Sequence, residues 1–221
     1  MKKIILAAVS TLVVVSAAQA TESFSGMYAG AQVGLSSTKT EHERTMTSNA
    51  LRKSTDGGNN FAGTLLVGYG QTFDSAYAGV EARVGMLTGT TKTFDTPAGG
   101  LTISNTPRES YIAAARLGYL LTQKAMVFIS LGAGMENTSY KIQADGKSFE
   151  AKKRELVFVP GFGTEIAVSE SLNFRADFNF TVAKKRTISE NQLSEAGITT
   201  YKTASFKPVR SAFMLGLSYR F

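Results

Sequence analysis

The sequence of 221 residues has no cysteine and a single histidine, His42. Without cysteine, a disulfide framework, a thiol nucleophile and a thiolate-ligated metal site are all excluded. One imidazole is too few for a histidine metal cluster. We therefore expect no metal and no cofactor. Barrel-embedded hydrolases use histidine with serine or aspartate, and His42 lies instead among Thr40, Glu41, Glu43 and Arg44, which is typical of a solvated loop residue.

Proline is also scarce, with 4 residues against 21 glycines, whereas 14 Phe and 8 Tyr are present and 43% of the chain is hydrophobic. This composition argues against a disordered chain, and the length allows one domain or two small ones. No apolar run reaches the roughly 20 residues of a membrane-spanning helix.

The first twenty residues are typical of a targeting segment. Lys2 and Lys3 precede an apolar stretch from Ile4 to Val15, and the segment ends in Ala18-Gln19-Ala20. A positive start, a short apolar region and small residues at its end predict a secretory signal peptide. We expect cleavage after Ala20, which leaves residues 21–221 as an exported barrel domain. A membrane-spanning helix is the alternative.

The remaining chain alternates between apolar residues and polar or small ones. In one segment, Val80, Ala82 and Val84 alternate with Glu81 and Arg83. This period of two predicts strands, and the segments are near the roughly 9–11 residues with which a tilted strand crosses a bilayer. The predicted strands are 27–35, 61–73, 76–87, 110–121, 125–135, 155–167, 172–181 and 208–221.

The connections alternate in length. Short turns are expected around 73–75, 122–124 and 169–171, and long polar stretches cover 36–60, 88–109, 136–154 and 182–207. Together these features predict an all-β fold, an eight-stranded antiparallel transmembrane β-barrel with short periplasmic turns and four long extracellular loops. The protein would lie in the bacterial outer membrane, with its apolar faces toward lipid. A soluble lipocalin-like barrel, with those faces turned inward, is the alternative.

The C-terminus carries the most specific motif, an alternating row of apolar residues that ends in an aromatic residue. This row resembles the sorting signal of outer-membrane barrels, and the resemblance implies recognition by the barrel-assembly machinery. An unfinished sheet edge offers unpaired N–H and C=O groups for strand addition. The row comprises Leu215, Leu217, Tyr219 and Phe221.

A second resemblance extends the first. The segment from Gly161 to Phe178 has a glycine-spaced strand with Glu165, a short turn, and a strand with Arg175 and Asp177. It resembles a hairpin of the small barrel family that includes the outer-membrane protein A transmembrane domain and the opacity-type porin-family proteins. Residues 28–34 resemble the first strand of that family.

Several charged residues share the inward parity of their strands. An unpaired charge inside a barrel costs several kcal/mol, so we interpret them as a salt-bridge network that plugs the lumen. The alternative is hydrated charges around trapped water. Glu165 is expected to face Arg175, and Pro160 to form a local bulge, because proline cannot donate to a ladder. The inward residues are Glu81, Arg83, Arg116, Glu165, Arg175, Asp177, Arg210 and Arg220.

Two basic triplets lie nearly symmetrically about the turn at 169–171, so they are expected to meet at the outer rim. Clustered Lys and Arg bind phosphates well, which predicts contact with lipopolysaccharide; merely solvated loop ends are the alternative. The export signal argues against nucleic acid. The triplets are Lys152, Lys153 and Arg154, and Lys184, Lys185 and Arg186.

These features favour a non-enzymatic integral outer-membrane barrel. We expect a surface-exposed structural or adhesin-like protein with a filled lumen, whose partners are outer-membrane lipid, lipopolysaccharide and host surface molecules. A narrow or gated channel is the second class of function, and a hydrolase that uses His42 at the rim is the third.

Overall fold

A computed structural model describes residues 23–46, 51–88, 91–92, 102–144, 147–183, 186–189 and 201–221. The expected signal peptide, residues 1–20, lies outside this range. Among the described residues, no helix is long and apolar enough to cross a membrane. The strands are β1 Gly26–Met46, β2 Leu51–Phe73, β3 Ala76–Thr88, β4 Thr91–Lys92, β5 Thr102–Thr122, β6 Ala125–Ala144, β7 Lys147–Ala167, β8 Leu172–Ala183, β9 Arg186–Ser189 and β10 Tyr201–Arg220.

The sheet closes on itself. Its long strands follow the order β1-β2-β3-β5-β6-β7-β8-β10, and β10 pairs in turn with β1. The closing register is antiparallel from Tyr28 opposite Arg220 to Met46 opposite Tyr201. Within the described part of the chain, eight long strands therefore form a closed antiparallel barrel, and the predicted fold class is confirmed. The short strands β4 and β9 pair with β5 and β10 outside this ring.

The three short connections lie where the sequence predicts them. Turns occupy 74–75 and 123–124, and a bend runs through 168–171. Asp74 has a φ of 54°, a left-handed conformation that Asp tolerates better than most residues. All three connections lie at one end of the barrel, which we call the short-turn end; the opposite end is the hairpin end.

The two faces of the wall are inverted relative to a soluble protein. Leu65, Val80 and Leu117 are at least 60% exposed, whereas Arg116 and Arg175 are 1% exposed. The apolar rows of the other strands point outward in the same way, among them Val33, Leu131, Phe162 and Leu215. Such a surface is stable only against acyl chains, because large apolar areas in water are otherwise aggregation sites. The predicted direction of both faces is confirmed.

The four long connections differ from the expected loops. β1 and β2 stay paired as far as Thr45 opposite Leu51, and β6 and β7 as far as Ala144 opposite Lys147. β5 begins at Thr102, well inside the stretch 88–109. Alternating hydropathy ends at the membrane boundary, but backbone hydrogen bonding does not need apolar side chains. The strands therefore continue as hairpins beyond the segments that the pattern detects.

The prediction of a bulge at Pro160 is wrong. Pro160 lies opposite Leu131 in an unbroken β6–β7 register. On its other side, Phe158 pairs with Val182 and Gly161 with Asn179, so the β7–β8 register is unchanged across the proline. The ladder simply lacks pairs at 159 and 160, since proline has no N–H to donate. Within the described residues of β5 and β6, register shifts occur instead between Pro107 and Glu109 and between Leu120 and Thr122.

Candidate functional site

The charged residues that the sequence analysis places inside the barrel are all buried there. They come from β3, β5, β7, β8 and β10, and each lies on the inward parity of its strand. An eight-stranded barrel is just wide enough for side chains to fill, so these groups meet one another across the lumen. The buried charged residues are Glu81, Arg83, Arg116, Glu136, Glu165, Arg175, Asp177, Arg210 and Arg220.

Glu81 lies at the centre of the cluster. Its Oε2 accepts a hydrogen bond of 2.7 Å from Nη1 of Arg175, and its Oε1 accepts one of 3.1 Å from Nη2. β3 and β8 are four strands apart in the ring of eight, so this fork joins opposite walls. Arg83 also binds Oε1 of Glu81, and the hydroxyl of Tyr28 donates to Oε2 at 2.8 Å. One carboxylate thus connects three parts of the wall.

Arg175 is held by a second carboxylate on its own strand. Its Nε donates to Oδ1 of Asp177 at 2.9 Å, and its Nη2 donates to Oδ2 at 2.7 Å. Two parallel N–H···O bonds to one carboxylate constrain the plane of the guanidinium as well as its position. Arg175 therefore points across the lumen at Glu81 because Asp177 orients it.

Arg116 forms a second connection across the interior. Its Nη2 donates to Oε2 of Glu165 at 2.7 Å, and its Nη1 donates to the Tyr28 hydroxyl at 3.1 Å. The guanidinium also stacks 3.9 Å above the ring centroid of Phe128, a cation–π contact that gains strength in a desolvated site. Through Tyr28 this connection joins the one centred on Glu81.

The predicted position of Glu165 is right, but its carboxylate does not pair with Arg175. Glu165 lies opposite Arg175 in the β7–β8 register, as expected. Its carboxylate instead binds Arg116 and the amide of Asn173 at 2.9 Å, and it lies 3.6 Å from Nη2 of Arg220. Arg175 does not bind Glu165, its cross-strand neighbour, because it pairs with the carboxylates of Glu81 and Asp177.

Arg210 lies apart from the others, nearer the hairpin end. Its Nη2 donates to both carboxylate oxygens of Glu136 at 2.6 and 2.8 Å. The sequence analysis missed Glu136 because it lies in a stretch that we interpret as a loop. The inward parity of β6, continued from Phe128 and Ser130, is the signal that would have found it.

Tyrosine rings fill the remaining space where glycine leaves room. Tyr28 packs over Gly68, where an added Cβ would lie 2.5 Å from its ring and hydroxyl, and Tyr77 packs over Gly70 in the same way. Phe24, just before β1, turns into the short-turn end and packs with Tyr77, Met126 and Phe128. Parity alone marks Tyr28 and Tyr77 as inward, but nothing in the pattern indicates that Phe24 enters the barrel.

The other predicted residues lie on the outside or beyond the described chain. Leu215, Leu217 and Tyr219 point outward along β10, and Phe221 is exposed directly after it. β10 pairs with β1 and closes the barrel. Lys152, Lys153 and Arg154 are exposed on β7. Lys184 and Lys185 lie outside the described residues, and Arg186 begins β9. The expected meeting of the two triplets therefore stays a prediction.

Among the described residues, the arrangement offers packing and charge pairing. No group of three or more His, Asp or Glu side chains among the described residues could hold a metal ion. His42 has its backbone in β1, opposite Ser54 and Phe206. The ion pairs around Glu81 and Glu165, the tyrosine rings and Phe24 occupy the interior between the short-turn end and the level of Arg83, and the Arg210–Glu136 pair lies beyond it toward the hairpin end.

Breaking the pair between Arg116 and Glu165 tests the network. In Glu165→Ala, the Arg116 guanidinium loses the carboxylate to which it donates a hydrogen bond in a desolvated site, and we expect the free energy of unfolding to fall by about 3–5 kcal/mol. Urea unfolding of the refolded protein in detergent micelles measures this. Ser130→Ala is the control, because its buried hydroxyl has no hydrogen-bond partner within the described residues. Equal stability of Glu165→Ala and the unmodified protein would contradict a stabilising network.

Comparison with known proteins agrees with this fold. OprG, an outer membrane protein from Pseudomonas aeruginosa, is 11% identical with a TM-score of 0.55, and the match covers 89% of this chain and 96% of that chain. The outer membrane protease OmpT from Escherichia coli is 8% identical with a TM-score of 0.52, covering 93% and 100%. Ail, the attachment invasion locus protein of Yersinia pestis, is 15% identical with a TM-score of 0.41, covering 86% and 98%.

At these identities the matches to OprG and OmpT show the fold alone. No curated protein sequence matches the chain. The family described as outer membrane protein beta-barrel domain matches residues 5–221, which include every described strand. Together with the closed barrel and its lipid-compatible exterior, this match shows that the chain belongs to the outer membrane protein beta-barrel family and is a bacterial outer-membrane β-barrel.

Proposed function

We propose that this protein is a non-enzymatic surface protein, structural or adhesin-like, that presents β-hairpins beyond the membrane on a barrel with a filled lumen. The observation that carries the proposal is the contact between Glu81 and Arg175. These side chains come from opposite walls and meet at 2.7 Å. A channel needs an open cross-section at every level, and this contact supports a barrel that is closed at its own level.

The hairpins support the second half of the proposal. Residues 36–45 of β1 continue in register with β2 beyond the apolar rows. At about 3.3 Å per residue and a tilt near 40°, ten residues extend about 25 Å above the lipid. A paired hairpin of this length projects away from the membrane, which suits contact with a surface better than passage of solutes.

A conductance measurement tests the filled lumen. We expect no sustained openings from the refolded protein in planar bilayers. The double variant Glu81→Ala/Arg175→Ala removes both halves of the contact across the lumen and is expected to produce openings. Lys153→Gln, an exposed change on β7, is the control and stays closed. Sustained openings of the unmodified protein would instead favour a narrow channel.

Shortening the hairpins tests the surface role. Lys39 lies opposite Gly57, and Ser139 opposite Lys152, so an Asn-Gly turn in place of 40–56 or of 140–151 closes either hairpin in register. Both variants are expected to keep the heat-modifiable gel migration of a closed barrel. At least one is expected to lose binding of the producing bacteria to host cells. The adhesin-like role would be contradicted if bacteria with one shortened variant and bacteria with the other both bind host cells as well as bacteria with the unmodified protein do. It would also be contradicted if bacteria that produce the unmodified protein bind no better than bacteria that lack it.

We also propose that Lys152 and Arg154 contact lipopolysaccharide phosphates. They continue the outward row of Leu156 and Phe158 along β7, so that basic side chains follow directly where the apolar ones end. Lys153 has the opposite parity on the same strand. A row that changes from apolar to basic matches the boundary between acyl chains and phosphorylated head groups.

The parity of β7 provides a matched test of this contact. Lys152→Gln/Arg154→Gln is expected to lower the affinity of the refolded protein for lipopolysaccharide by about thirtyfold, since each of the two lost phosphate contacts costs about 1 kcal/mol. Lys153→Gln is the control and is expected to have a smaller effect. Binding that is unchanged in the double variant, or lowered equally by Lys153→Gln, would contradict a contact through the outward row.

A further inference from the structure

The interior contains a cavity that the ion-pair network does not fill. It has a volume of about 70 Å³ and lies toward the hairpin end, between Gln32 and Ser36 of β1, Arg83 of β3 and Arg210 of β10. Thr181, two residues before the end of β8, also lines it. The cavity is therefore on the far side of Glu81 and Arg175 from the short-turn end.

Hydrogen-bond donors without acceptors surround this cavity. Nη2 of Arg83, Nε of Arg210 and the amide nitrogen of Gln32 have no partner within the described structure, and neither does the Ser36 hydroxyl. All four side chains are more than nine-tenths buried. A buried donor that is left unpaired costs its full desolvation free energy. Four such groups around one space indicate that an acceptor occupies it.

The charges that line the cavity favour an anion as this acceptor. Arg83 and Arg210 are the charged residues among those that line the cavity, and no carboxylate of the described chain lines it. Water would also accept these hydrogen bonds, but a guanidinium N–H bonds an anionic oxygen about twice as strongly as a neutral one.

We propose that this cavity binds a small tetrahedral oxyanion of the sulfate or phosphate class. Its oxygens would accept hydrogen bonds from Nη2 of Arg83, Nε of Arg210 and the Gln32 amide. The volume holds a few water molecules and therefore one small oxyanion, whereas a sugar phosphate or nucleotide is too large. Nε and Nη1 of Arg83 stay on Glu81 and Asn179, and Nη2 of Arg210 stays on Glu136, so binding needs no rearrangement of the network.

Inorganic sulfate is the probe for this site. Isothermal titration calorimetry on the refolded protein in a non-ionic detergent is expected to show saturable binding of one sulfate per barrel, with a Kd of about 1 mM or tighter. Because arginine stays protonated throughout, the affinity for sulfate is expected to be unchanged between pH values of about 6 and 9. Absence of saturable binding would overturn the proposal.

Two variants locate the binding inside the barrel. Ala62 lines the cavity from β2, so Ala62→Leu fills the space without removing a charge and is expected to abolish binding. Gln32→Met removes one donor and is expected to weaken binding about tenfold, as for a lost hydrogen bond to a charged group. Ala31→Leu is the control, because Ala31 is exposed on the lipid-facing side of β1.

Heat-modifiable migration establishes that each variant still forms a closed barrel before titration. If Ala62→Leu does not fold, Gln32→Met decides the outcome alone. Sulfate binding that survives in both folded variants would place the anion on the basic exterior and overturn the proposal. The proposal would also be overturned if Ala31→Leu lost sulfate binding to the same extent as the cavity variants, since that change does not alter the cavity.

Discussion

A charge in the interior of this narrow barrel has no bulk water to solvate it, and the organisation of the lumen follows from that constraint. Glu81 is buried among Arg83, Arg116 and Arg175, and Arg175 is held in turn by Asp177. Because a desolvated ion that loses its partner costs several kcal/mol, these side chains adopt the positions that satisfy one another. The same contacts tie together strands that do not pair through their backbones.

The packing around the ions follows from the same requirement. Arg116 on β5 contacts both the carboxylate of Glu165 on β7 and the ring of Phe128 on the neighbouring strand β6, so these three side chains must pack closely on one side of the lumen. Gly68 and Gly70 allow the rings of Tyr28 and Tyr77 to lie flat against β2. Substituting a larger residue at either glycine would displace a ring, and with Tyr28 it would displace the hydroxyl that joins Arg116 to Glu81. Lipid solvates the outer face independently, so the inner face can be this polar without exposing apolar surface to water.

Particular elements show how far the sequence pattern reaches. Strict alternation from Val80 to Val84 predicts both a strand and the direction of Glu81 and Arg83, because the side-chain period of a strand is two whatever its neighbours are. In β6, the alternation of apolar and polar residues ends near residue 135. Glu136 therefore lies in a predicted loop, although its strand continues to Ala144. Pro160 looks like a defect in the sequence, yet the register passes through it. The alternating hydropathy of the sequence shows where a strand leaves the lipid, whereas backbone hydrogen bonding determines where the strand ends.

The sequence by itself determined the strand positions of the membrane part, their inward and outward faces, and the short turns between them, since each is a local property of period and turn chemistry. Only the tertiary structure decided which ions pair. Glu165 lies opposite Arg175 in the register but binds Arg116, and Arg175 binds Glu81, which is 94 positions away in the sequence. Closure of the sheet brings β3 and β8 to opposite sides of one narrow lumen. A long arginine side chain can then pair with any carboxylate within its reach, including those on distant strands. Which carboxylate each arginine binds depends on the distances across the barrel, and a local sequence pattern does not contain these distances.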